Sequence, residues 1–89
     1  MKVTNMINNN GNKVANQFTI MDGFIEYFQS YESIIVKVDF TKQKKIYLDE
    51  YYWDYSRTTG KYRNIFLGET KRETEKKIKT GEYILTNLN

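Results

Sequence analysis

The chain contains no cysteine, no histidine and no proline. Without cysteine it has neither a disulfide framework nor a thiolate metal site, and without histidine it lacks the commonest zinc ligand and the commonest general base. Its serines have no histidine to activate them and lie in no nucleophile-elbow motif. Asp49, Glu50 and Asp54 do not match the spacing of a calcium loop. We therefore expect a binding protein and not an enzyme, with no catalytic residue, no metal and no cofactor.

Long apolar runs are also missing. The first ten residues lack the apolar stretch of a signal peptide, and no segment approaches the length of a membrane span. We therefore expect a cytoplasmic protein with no membrane partner. The net charge of +3 is mild and falls short of the basic balance of a dedicated duplex-DNA binder. The 89 residues predict a single domain over residues 1–89, and the 16% of aromatic residues predict an aromatic core.

The first half of the chain alternates apolar and polar residues as β-strands do. Strands are predicted over 2–7, at the edge of a sheet, and over 13–21, with Val14, Phe18 and Ile20 facing inward. Asp22-Gly23 predicts a hairpin to a strand over 24–30, since Asp-Gly between two alternating runs is typical of a tight turn. Two further strands are predicted over 34–40 and 45–48.

The second half carries signals for two helices. Ser56, Thr58 or Thr59 caps a helix running to about Leu67, with Gly68 as its left-handed end. Thr70-Lys71-Arg72-Glu73 is a capping box that opens a second helix, and Gly81 follows its end. A strand over 82–88, with Tyr83 and Leu85 inward, closes the chain. The prediction is an α+β fold: an antiparallel meander sheet packed by two short helices, with a closing C-terminal strand. Residues 49–55 either extend the sheet or begin the crossover.

Residues 51–68 concentrate the side chains suited to a phosphate-bearing ligand. Tyr and Trp offer π faces on which bases stack, Arg binds phosphate bidentately, and Thr hydroxyls and helix-terminal N–H groups add donors. The candidate ligand-binding residues are Trp53, Tyr55, Arg57, Thr58, Thr59, Lys61 and Arg63. The alternative is that the aromatic residues belong to the core and the arginines are ordinary surface charges.

Three segments carry a resemblance to a known group of proteins. They are GNKVANQF at 11–18, FQSY at 28–31 and YWDYSRTTGKYRN at 52–64. The sequence resembles a family of small uncharacterised proteins from phages and gut bacteria. The resemblance implies a mobile-element origin and no particular activity. Small phage proteins without catalytic residues are often counter-defence factors, which either sequester nucleotide messengers or occupy a host defence protein.

Two hypotheses follow from these observations. The first is a non-enzymatic counter-defence module that sequesters a signalling nucleotide or single-stranded nucleic acid, with Trp53 or Tyr55 stacking on a base. The second is a protein-binding inhibitor of a host defence complex, such as an anti-CRISPR, which uses the sheet face or the basic turn at 42–45. The thin apolar stripe of the second helix makes a homodimer plausible.

Overall fold

Six strands and two helices make up the computed structural model, which describes residues 1–89. In chain order they are β1 (Lys2–Ile7), β2 (Lys13–Asp22), β3 (Ile25–Ser30), β4 (Ser33–Asp39), β5 (Lys45–Asp49), α1 (Arg57–Leu67), α2 (Lys71–Thr80) and β6 (Tyr83–Thr86). The strands form one sheet in chain order, and each of the first five is antiparallel to the next. β6 is parallel to β5, because the two helices carry the chain back to the starting end of β5. The predicted α+β fold is confirmed.

The hairpin between β2 and β3 is confirmed, with a small change of boundary. Asp22 pairs with Ile25, so the loop consists of Gly23 and Phe24 alone. Gly23 has a φ of 62°, a left-handed conformation that glycine adopts without steric cost. Phe24 therefore lies exposed in the turn and does not begin the strand. The next hairpin is equally tight, because Ser30 pairs with Ser33.

Both helices lie on the same face of the sheet, which is called the helix face here. Phe28 of β3 stacks on Phe66 of α1 with ring centroids 5.7 Å apart, and Tyr83 of β6 bonds to Glu69 at the start of α2. Of the three candidate caps for the first helix, Ser56 is the one that caps α1, and the predicted Thr70–Glu73 capping box of α2 is confirmed. The core between the two layers comprises Met6, Phe28, Ile35, Val36, Val38, Leu48, Tyr62 and Tyr83. Its three aromatic residues are among its largest.

The inward face predicted for β2 is correct for Val14 but wrong for Phe18 and Ile20; Ile20 is buried, but on the other face of the sheet. Asn5 pairs with Phe18 but Ile7 pairs with Lys13, so β2 holds extra residues between these pairs and bulges there. The bulge reverses which side chains face the helices: Val14 packs on the core, whereas Phe18 lies on the other face of the sheet. The fully buried residue of this segment is Gln17, in register with Ser30.

Residues 49–55 begin the crossover, the segment that leads from β5 through both helices to β6. They do not extend the sheet, which was the alternative that the sequence left open. Asp49 ends β5, and one of its carboxylate oxygens accepts the backbone N–H groups of Tyr51 and Tyr52 at 3.1 and 2.8 Å. The other oxygen accepts the backbone N–H of Leu88 and the side-chain amide of Asn89. This buried carboxylate joins the start of the crossover to the segment after β6. Leu85, predicted to face inward, is 40% exposed because β6 is an edge strand.

Candidate functional site

The first turn of α1 is fixed to the sheet through hydroxyl groups. Ser56 caps the helix, since its Oγ accepts the backbone N–H of Thr59 at 3.1 Å. The Thr59 hydroxyl lies 2.9 Å from the hydroxyl of Ser30 on β3, and it is 1% exposed. Thr59, one of the predicted ligand donors, is therefore buried at the junction between helix and sheet.

Arg63, one turn further along, is also buried, with 1% of its surface exposed. Its Nη1 donates to the backbone carbonyl of Trp53 at 2.6 Å and to Asp54 Oδ1 at 3.3 Å, and its Nη2 donates to Asn64 Oδ1 at 3.0 Å. The guanidinium carbon lies 5.2 Å from the centroid of the Trp53 ring, a cation–π distance. Arg63 thus holds the crossover segment against α1 and covers one side of Trp53.

Asp54 is the carboxylate at the centre of this arrangement. It accepts from Arg63 and, at 2.8 Å, from Lys71 Nζ of α2. Burial raises the pKa of Asp54, but the hydrogen bonds from Lys71 and Arg63 lower it by more, so that the pKa is below its usual value. Asp54 is therefore ionised at neutral pH, with a cation on each side of it.

A broad cleft of about 1100 Å³ lies beside this network, between the turn after β1 and the outer side of α1. We call it the basic cleft. Asn8, Asn9 and Asn10 form one wall, and Arg57 and Lys61 lie on the other. Four cationic side chains line it, Arg57, Lys61, Arg63 and Lys71, against the single carboxylate of Asp54.

Arg57 and Lys61 differ from the other two cations of the cleft. Both are exposed, and neither lies within salt-bridge distance of a carboxylate. They are four residues apart on α1, so they lie one above the other on the same side of the helix. The Lys61 ammonium lies 5.4 Å from the Tyr62 ring. The cleft therefore presents two free cationic groups, since Arg63 and Lys71 already have Asp54.

A second concavity, of about 690 Å³, lies on the other side of the first turn of α1. We call it the tyrosine cavity, because Tyr31, Tyr52 and Tyr55 line it. The rings of Tyr52 and Tyr55 are 5.3 Å apart, and Tyr55 is 64% exposed. Ser56 lines both the tyrosine cavity and the basic cleft. A ligand crossing this turn would therefore contact both.

The backbone at the floor of the tyrosine cavity is unusual. Tyr31 and Asn16 both have left-handed φ angles, of 56° and 63°. Asparagine tolerates such an angle, whereas a residue such as Tyr31 adopts it at a cost of about 1–2 kcal/mol. The two residues are joined by a hydrogen bond of 2.7 Å from the Tyr31 N–H to the Asn16 carbonyl. The bulge of β2 and the tight turn after β3 thus meet at this cavity and place the Tyr31 ring at its rim.

The seven predicted site residues divide between the two concavities. Arg57, Lys61 and Arg63 line the basic cleft; Tyr55, Thr58 and Thr59 line the tyrosine cavity; Trp53 lines neither. Of the seven, Thr59 and Arg63 are buried and bonded within the protein, whereas Tyr55, Arg57, Thr58 and Lys61 are exposed. The residues that sequence reasoning missed are Asn8, Asn9, Asn10, Tyr31, Tyr52 and Lys71. The three asparagines reach the site through the β1–β2 turn, Tyr31 through the β3–β4 turn and Lys71 through α2, and no local pattern indicates that meeting. Tyr52 lies in the segment between β5 and α1, next to Trp53.

No group of three or more acidic side chains lies close enough to hold a metal ion, and no helix is long and apolar enough to cross a membrane. The protein is therefore a six-stranded sheet covered by one layer of helices. The basic cleft and the tyrosine cavity lie on either side of the start of α1. The chain belongs to the family of unknown function DUF8033, whose sequence profile matches residues 1–82. No curated protein and no solved structure matches it.

Proposed function

We propose that this protein binds a phosphate-bearing ligand, a nucleotide or single-stranded nucleic acid, at the first two turns of α1. The observation that carries this proposal is the pair Arg57 and Lys61, two exposed cations on one side of a helix, facing a cleft without a carboxylate partner. The exposed pair Arg72 and Lys76 on α2 shares its concavity with Glu73 and Glu75. The basic cleft has only the carboxylate of Asp54, which Arg63 and Lys71 already neutralise, so its excess positive charge favours an external anion.

The chemistry of each group suits phosphate. Arg57 has a planar fork of donors that matches two phosphate oxygens, and Lys61 supplies a compact charge one turn away. The side-chain amides of Asn9 and Asn10 are hydrogen-bond donors on the opposite wall. The first N–H groups of α1, at Arg57 and Thr58, have no partner within the helix and point toward the same end. Asp54 does not oppose an anion strongly, because Arg63 and Lys71 neutralise it.

The tyrosine cavity supports a ligand that carries a base as well as a phosphate. A base stacked on an aromatic side chain contributes about 1–3 kcal/mol. Tyr55 is the most exposed of the three tyrosines that line the cavity, at 64%, whereas Trp53 has the Arg63 guanidinium on its ring. We therefore assign the stacking role to Tyr55, with Tyr52 and Tyr31 beside it. The phosphate then lies in the basic cleft and the base in the tyrosine cavity, with Ser56 between them.

The biological role that we propose with this site is counter-defence. A small phage protein that holds a nucleotide messenger, or a single strand of nucleic acid, keeps it from a host defence system without any catalysis. The resemblance to phage proteins motivates this role, and the two concavities supply a place for the ligand. The ligand would be held in the cytoplasm of the host cell.

The test is a titration of the protein with cyclic dinucleotides, ADP-ribose-type nucleotides and short single-stranded oligonucleotides, followed by calorimetry and by Trp53 fluorescence. The Arg57→Ala/Lys61→Ala variant should bind about 100-fold more weakly, at about tenfold for each lost charge-assisted contact. The matched control is Arg72→Ala/Lys76→Ala, which removes the same charges at the same spacing from the exposed side of α2. Its affinity should be that of the unmodified protein.

The salt dependence separates the two kinds of ligand. If the ligand is a single strand, the Arg57→Ala/Lys61→Ala variant should reduce the slope of log K against log salt by about 1.4, since two phosphate contacts are lost. Tyr55→Ala should weaken nucleotide binding but leave binding of inorganic pyrophosphate unchanged, with Tyr51→Ala as its exposed neighbouring control. No binding across the whole panel, or equal losses in the α1 and α2 double variants, would overturn the proposal.

A further inference from the structure

The face of the sheet away from the helices has an apolar row that crosses all six strands. Directly paired residues point to the same side of a sheet, so the row can be followed through the register of each pair. It consists of Val3, Ile20, Tyr27, Lys37, Tyr47 and Ile84. Five of the six are aliphatic or aromatic, and the Lys37 ammonium lies 5.5 Å from the Tyr47 ring. We call this side of the sheet the open face.

The positions next to this row on the open face are also largely apolar. Phe18 and Ile34 both pair with Gln29, so these two apolar side chains lie along one side of the row. Ile25 lies along the other side of the row. An antiparallel sheet with one solvated face usually alternates apolar residues on the core side with polar residues outside. Here both faces are apolar, yet the helices cover only one.

The charges of the open face are balanced. Asp22, Asp39 and the buried Asp49 carry three negative charges, and Lys13, Lys37 and Lys45 carry three positive ones. The whole chain has a net charge of +3, so its excess positive charge lies elsewhere. Two copies of this face can therefore approach without the repulsion that two copies of the basic side would experience.

We propose that the open face packs against the same face of a second copy of the chain. Six strands spaced about 4.8 Å apart, each contributing about 20 Å of length, present about 600 Å². Two such faces bury about 1,200 Å² in total, which reaches the lower limit of stable, specific interfaces. A two-fold axis that lies in the plane between the two sheets makes the contact self-complementary, and stacked sheets lie about 10 Å apart.

This arrangement is independent of the proposed ligand site. The basic cleft and the tyrosine cavity both adjoin α1 on the helix face, so a dimer formed through the open face leaves both of them accessible on each copy. The dimer is therefore a sandwich of two sheets between two outer layers of helices, with one ligand site on each outer surface.

The test measures the mass of the full chain in solution by sedimentation and light scattering, up to a concentration of about 0.5 mM. We expect a concentration-dependent species of twice the 10.7 kDa chain mass, and a melting temperature that rises with concentration. Tyr27→Glu, at the centre of the row, should raise the dimer dissociation constant at least tenfold. Val3→Asp should raise it too, and its side chain is 58% exposed, so the chain still folds.

Phe24→Glu is the matched control, because Phe24 is apolar and 72% exposed but lies in the β2–β3 turn, outside the row. It should dimerise as the unmodified protein does. A chain that stays at 10.7 kDa over the whole range overturns the proposal, as does a Tyr27→Glu variant that is folded and still dimeric. Capture of a different protein by the open face of a monomeric chain would assign the face to that partner and would also overturn it.

Discussion

Replacing Gln17 by methionine should stabilise the protein, although Gln17 is fully buried. The side chain is 0% exposed, and neither its amide oxygen nor its amide nitrogen has a hydrogen-bond partner. A buried polar group without a partner costs about 1–3 kcal/mol. Gln17→Met keeps the length of the side chain and removes both groups. We expect the free energy of unfolding to rise by about 1–3 kcal/mol.

The gain is large enough to measure by thermal unfolding followed by circular dichroism. For a domain of this size, 1 kcal/mol shifts the melting temperature by about 4–8 °C, so the expected rise is about 4–20 °C. Gln29→Met on the adjacent strand is the matched control. Gln29 is half-buried, and its amide donates to the Tyr31 carbonyl at 2.7 Å. Loss of that bond should lower the stability by about 0.5–1.5 kcal/mol.

The sign of the change tests the reasoning. If Gln17→Met lowers the melting temperature as Gln29→Met does, the buried amide has partners in solution, and the argument from unsatisfied groups is wrong. A buried water with two or more polar neighbours would be such a partner. Urea unfolding should give the same sign, with an unchanged m-value, because the surface exposed on unfolding is nearly the same.

Two further predictions concern buried carboxylates. Asp49→Asn should lower the stability by about 3 kcal/mol, because the new amide NH2 would face two of the four N–H groups that now donate to Asp49. Burial raises the pKa of Asp49, but the hydrogen bonds that it accepts lower this pKa below 3.8. The ionised carboxylate therefore stabilises the fold above about pH 4, and this stabilisation is lost on acidification. Urea unfolding of the variant should show a weaker dependence on acid. Burial and the hydrogen bond to Glu69 raise the pKa of Tyr83 to about 12, so Glu69→Gln should bring this pKa down toward 10.0. The absorbance of the phenolate measures the change. An unchanged titration at high pH would contradict the prediction.

Local signals in the sequence predicted most of the fold. Asp22-Gly23 fixed a hairpin because a two-residue loop needs a left-handed first residue, and the Thr70–Glu73 box and Gly81 fixed both ends of α2. Each of these signals acts within four residues of the chain, so the sequence displays it directly. The bulge of β2 escaped prediction because it depends on pairing with β1, and its consequence is the buried Gln17.

The candidate site was predictable in composition but not in geometry. The density of Arg, Thr and aromatic residues after β5 indicated the right part of the chain. Which cations stay free depends on distant partners: Arg63 is buried against Trp53 and Asp54, and Lys71 reaches Asp54 from another helix. Arg57 has no such partner. Sequence alone treats Arg57 and Arg63 alike, because their difference arises only when the crossover folds back on α1.

The parallel pairing of β6 with β5 has a consequence for the order of folding. The first five strands are linked by short turns, so each pairing closes only a small loop and loses little chain entropy. β6 can join β5 only after the whole crossover, with both helices, has returned to the sheet. Long-range pairing of this kind is intrinsically slow. The meander is therefore the early-forming part of the molecule. The carboxylate of Asp49 bonds to the start of the crossover and to the segment after β6, so it acquires its last donors when folding is complete.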